Sequence, residues 1–98
     1  MRSVLKKPNC KPSVINIDNT LKDIQCAVGG HFEALVYSYE YALLMLCDEE
    51  GKIKGLDYNF KLDPDDIVGN VLFVSAVGEE FRGLDERQIG FLLERFCG

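Results

Sequence analysis

One histidine, four cysteines and sixteen carboxylates are the residues of this chain that could do chemistry. His31 follows Gly30, and Cys-His or Ser-His nucleophilic catalysis would need a base that only the fold could bring to it. Cys26 is the nearest thiol in sequence, but Gly29 and Gly30 separate the two, so a plain structural histidine is expected. The two glycines follow a helix rather than precede one. They therefore suit a C-cap, where the helix end carries partial negative charge, and not a phosphate loop. The carboxylates gather at Asp48-Glu49-Glu50 and at Asp63, Asp65 and Asp66. Neither cluster has the alternate ligands, central glycine and terminal glutamate of a calcium loop, so solvated acidic turns are expected, with no metal and no cofactor. No pair of acids stands out as a hydrolase site, and the expectation is a protein that is not an enzyme.

The chain has 98 residues, 47% of them apolar and 28% charged, which matches one globular domain over residues 1–98. A formal charge of −5 opposes approach to a phosphate backbone, so direct nucleic-acid binding is not expected and a cationic protein partner is. Cys10, Cys26, Cys47 and Cys97 form no CxxC pair, and the N-terminal stretch lacks the apolar run of a signal peptide. Four free thiols and a cytoplasmic setting follow as expectations. No apolar run approaches the roughly 20 residues that span a bilayer, so no membrane association is expected.

The elements that must position these groups read as an α+β fold. Two strands, Ser3 to Lys6 and Ser13 to Ile17, flank a turn held by Pro8 and Pro12. Asp18-Asn19-Thr20 offers N-cap oxygens to a short helix carrying Leu21, Ile24 and Val28 on one face, stopped at Gly29-Gly30. His31 to Ser38 and Tyr41 to Cys47 form a hairpin with a buried second strand, and Asp48 to Lys52 forms a turn. Leu56 to Asp66, with Pro64 and four aspartates, has no period and reads as a loop. Ile67 to Val77 is rich in β-branched residues and reads as one long central strand, with Gly69 marking a bulge or a close backbone approach. Asp85 and Gln88 form a capping box ahead of Ile89, Leu92, Leu93 and Phe96 at i, i+3, i+4 and i+7. The expected architecture is a mixed or antiparallel sheet of about four to six strands with two short helices, the C-terminal one packed on the sheet.

Phe91 lies about 200° around that helix from Ile89, away from the apolar stripe. With Tyr37, Tyr39 and Tyr41 it would mark a protein-binding or homodimer face. The residues expected to meet a partner are thus Asp48, Glu49, Glu50, Asp63, Asp65, Asp66, Tyr39 and Phe91.

Val28-Gly29-Gly30 after a short helix, the run Asp48 to Leu56 with Asn59 following, and Ile67-Val68-Gly69 together resemble the phage and mobile-element family catalogued as domain of unknown function 3846. The resemblance covers most of the chain and assigns no residue a role. What it implies is a genomic setting in which small proteins act on host defence. The expected function is a non-enzymatic interaction protein, of an anti-CRISPR or anti-restriction type, that sets an acidic surface against a basic one. The alternative is a small-molecule binder that sequesters a nucleotide signal, for which Lys52, Lys54, Lys61 and Arg82 would supply the donors.

Overall fold

The computed structural model describes residues 1–97, with side chains through Phe96. Its centre is strand β7 (Val71–Val77), whose residues from Val71 to Ser75 are all buried. Val, Leu and Phe on both faces make that strand too apolar for anything but the middle of a sheet. On one side it pairs with β4 (Leu43–Asp48), which in turn pairs with β3 (Phe32–Ser38). On the other side it pairs with β1 (Arg2–Lys6) and, further along, with β8 (Glu80–Arg82), and β1 pairs with β2 (Ser13–Asn16). Every pairing is antiparallel. The expected α+β fold with a multi-stranded sheet and a packed C-terminal helix is the fold observed.

The two faces of the sheet bury different things. Helix α1 (Leu21–Val28) covers one face, setting Ile24 and Val28 over Leu46, Leu72 and Val74. Thr20 caps its start by accepting from the Asp23 N–H at 3.2 Å, and Gly29 ends it at φ 104°. The opposite face carries Val4, Met45 and Phe73, covered by Ile89 and Leu92 of helix α3 (Glu86–Cys97). The capping box is complete: the Gln88 N–H donates to Asp85 Oδ1 at 2.8 Å, and the Asp85 N–H donates to Gln88 Oε1 at 2.9 Å. The Gln88 amide also donates to the Tyr41 carbonyl at 2.7 Å and to Ser75 Oγ at 3.1 Å, fixing the helix start to the sheet.

Three expectations are corrected. Leu56 to Asp66 is not a loop: strands β5 (Tyr58–Leu62) and β6 (Asp65–Val68) form a separate two-stranded ribbon turned at Asp63-Pro64. Ile67 to Val77 is not one strand, because the chain leaves the ribbon at Gly69 with φ 75° before β7 begins. A Cβ at Gly69 would lie 2.7 Å from Leu56 Cδ1, so what approaches closely there is a side chain rather than the backbone, and the positive φ strains any other residue. The turn after Asp48 contains a third helix, the single turn α2 (Gly51–Lys54), making three helices where two were expected. Asn59 ties the ribbon to the sheet, its amide donating to the Lys6 carbonyl at 2.8 Å and the Gly69 carbonyl at 2.7 Å.

Candidate functional site: an acidic cleft beside the outermost strand

Antiparallel pairing sets Glu33 of β3 opposite Cys47 of β4, and the chain turns immediately after Asp48 into α2. The β5–β6 ribbon lies across the same end of the sheet. Between them is a cleft of about 260 Å³ walled by Glu33 and Leu35, by Cys47, Asp48 and Glu49, by Gly51, Lys52 and Ile53, and by Asp65 to Val68. Gly51 lets that wall pack closely, since a Cβ there would meet Val68 Cγ2 at 2.9 Å and the valine would have to shift. Glu33, Glu49, Asp65 and Asp66 are exposed around the cleft, with Lys52 the one exposed cation among its walls. Ile53 is 86% exposed on the rim.

Asp48 differs from its neighbours. Its side chain is 1% exposed and accepts from Lys54 Nζ at 2.7 Å through one oxygen and from the Glu50 N–H at 2.9 Å through the other. The hydrogen bond from Lys54, more than any other cause, holds this carboxyl below its usual range, outweighing the opposing effect of burial. The same bond raises Lys54. Asp48 is thus ionised and internally neutralised, and its expected place on a solvated face is corrected: it positions α2.

Cys47 is the one thiol in the cleft wall, with Sγ 4.0 Å from Glu33 Oε1. Burial first, and then the charges of Glu33 and Asp48, push it up to about 11. At neutral pH it remains a thiol and offers no nucleophile. In the native protein Cys47 is therefore expected to react with iodoacetamide about a hundredfold more slowly than an ordinary exposed thiol, from its smaller thiolate fraction alone. Cys10 and Cys26 are exposed and free and should react first. The Cys97 side chain lies outside the described residues. Denatured, unreduced protein should titrate four thiols per chain, and mass spectrometry of timed labelling reads both quantities. Labelling of Cys47 as fast as Cys26 would remove it from the cleft wall.

Of the other residues expected to meet a partner, Glu49, Asp65 and Asp66 converge on the cleft although 16 positions separate Glu49 from Asp65 in the chain. Glu50 is exposed beside the cleft, and Asp63 sits at the ribbon tip, 3.8 Å from Lys61. Tyr39 is 89% exposed but lies at the far end of the β3–β4 hairpin from Asp48. Phe91 is not free: it stacks on Tyr41 at 4.0 Å and 12°, with Arg87 over the Tyr41 ring at 4.2 Å. Tyr37 is likewise occupied by Phe60, Phe73 and Phe96. Glu33 and Ile53 are exposed cleft residues that the sequence does not single out, and Lys52 is read from it only as a nucleotide donor. Glu33 was within reach, since it falls opposite Cys47 once the hairpin register is drawn. The four basic residues considered for a nucleotide do not share a cavity: Lys52 lines the acidic cleft, Lys54 lines a second cleft near Gly69, and neither cleft includes Lys61 or Arg82. Among the described residues no three His, Cys, Asp or Glu side chains group closely enough to hold a metal ion.

The family model described as Domain of unknown function (DUF3846) matches residues 1–97, and the chain belongs to that family. No curated protein and no solved structure matches it.

Proposed function

We propose that this DUF3846 member is a non-enzymatic interaction protein that occupies a basic surface on a protein partner with its acidic cleft. The observation that carries this reading is the convergence of Glu33, Glu49, Asp65 and Asp66, contributed by three separate stretches of chain, around one cleft with the exposed apolar Ile53 on its rim. An apolar anchor within a charged surround is a common arrangement at protein interfaces, where charge selects the partner and speeds encounter while apolar contact retains it. The Asp48–Lys54 bond and the protonated Cys47 support this reading, since neither Asp48 nor Cys47 is poised as a nucleophile. In the phage or mobile-element setting that the earlier resemblance implies, the basic partner would be a host-defence protein of the CRISPR or restriction kind, whose nucleic-acid groove an acidic protein can fill.

The test begins with affinity purification from the native host, identifying retained proteins and released metabolites together. With the partner in hand, Asp65→Lys combined with Asp66→Lys is expected to slow association about tenfold, with dissociation changed far less, while Glu79→Lys with Glu80→Lys, away from the cleft, leaves it near wild type. Raising salt from about 50 to 500 mM, which shortens the Debye length severalfold, should weaken binding of the wild type. Binding indifferent to salt and to the Asp65 and Asp66 reversal would rule out the acidic cleft as the contact surface. A nucleotide released on denaturation would put the sequestering function in its place.

A further inference from the structure

Strand β3 ends the sheet: among the described residues it is hydrogen-bonded on one side only, to β4. Its regular ladder runs from Phe32 to Val36, after which the register shifts. Five regular residues present about 16 Å of edge, with alternate N–H and C=O groups directed outward. The opposite edge is guarded: β2 has four residues and follows directly on Pro12. The ladder of β3 contains neither proline nor lysine, the usual devices that stop an edge from pairing. Alternation gives this edge two characters. Glu33 and Leu35 face the acidic cleft, whereas Ala34 and Val36 point to the other side of the sheet, both exposed and Val36 at 41%.

Resting on the reading above, we infer that β3 takes up an extended segment of the partner as an additional antiparallel or parallel strand, the segment carrying lysine or arginine at alternate positions and apolar residues between them. Its cations would lie beside Glu33 and reach Asp65 and Asp66 across the cleft, and its apolar residues would cover Ala34 and Val36. A second copy of this chain is the poorer occupant. Edge-to-edge pairing would bring two Glu33 residues and their cleft neighbours along one seam, between chains that each carry −5.

The inference is tested with an eight-residue peptide alternating lysine and valine, and with the same peptide N-methylated at alternate amides. Methylation keeps the charge and removes main-chain donors. The unmethylated peptide is expected to bind about tenfold tighter or more, the equivalent of one or two hydrogen bonds in a partly dry site, and to slow amide exchange within residues 32–36. Its binding should fall in the Asp65→Lys, Asp66→Lys variant. Equal binding of the two peptides, weakened by salt, would overturn strand addition and leave the acidic-cleft reading intact. Exchange protection at residues 32–36 with no dependence on salt or on the Asp65 and Asp66 reversal would overturn the acidic-cleft reading and the cationic pattern of the segment, while upholding strand addition at β3. Failure of the unmethylated peptide to bind, or a dimer of the free protein that already protects these residues, would overturn strand addition.

Discussion

Truncating Phe73 to alanine is expected to remove about 3–5 kcal/mol from the free energy of unfolding, as the deletion of a fully enclosed aromatic ring does when its surroundings cannot collapse. Phe73 has no exposed surface. Its ring lies 5.1 Å from Tyr37 of β3, 5.6 Å from Phe96 of α3 and 6.3 Å from Phe60 of β5, so one side chain joins the sheet, the last helix and the ribbon. These partners come from elements with independent constraints of their own, so no one of them can move in to fill the space. Domains of this size hold about 5–15 kcal/mol in all, and the variant should be partly unfolded or close to it at 25 °C. Urea unfolding followed by circular dichroism measures the loss. A cost under about 1 kcal/mol would show that the four rings do not form one packed unit.

The second large effect is expected at Leu92. Its side chain is fully buried between α3 and the sheet, and Leu92→Ala should cost about 2–5 kcal/mol, with the upper part of that range reached if the cavity stays open. The denaturant midpoint should fall while the slope of the transition stays the same, because the change alters packing without altering how much surface unfolding exposes. A loss below about 0.5 kcal/mol would place the helix on the surface and contradict its packing.

Leu92 was legible in the sequence, for a local reason. The capping box Asp85–Gln88 and the i, i+3, i+4, i+7 stripe of α3 are properties of neighbouring residues, as are Thr20 and Gly29 at the two ends of α1. The β5–β6 ribbon was not, although Tyr58, Phe60 and Leu62 alternate with Asn59 and Lys61. Its pattern is short, interrupted by a register shift between Tyr58 and Phe60, and closed by aspartates that otherwise signal a loop. Within the cleft, both acidic clusters could be marked as surface but not brought together, since their approach depends on the ribbon folding back across the sheet. The burial of Asp48 was hidden too. Its partner Lys54 is six residues on, a spacing that neither a helix nor a strand would single out.

The way the ribbon is attached has a dynamic consequence. A two-stranded ribbon has little stability of its own, and β5–β6 shares no ladder with the main sheet. It is held by the Asn59 amide, by Phe60 and Leu62 against the core, and by the buried Ile67. Its opening is therefore expected to require less free energy than exposing β7, which is enclosed by strands on both sides, so that the ribbon would open as a unit before the whole protein unfolds. Asp65 and Asp66 move with that unit while Glu33 and Glu49 stay with the sheet. The spacing of the negative charges is then set by an equilibrium, and a cationic segment that bridges the two halves stabilises the closed form by its preference for it.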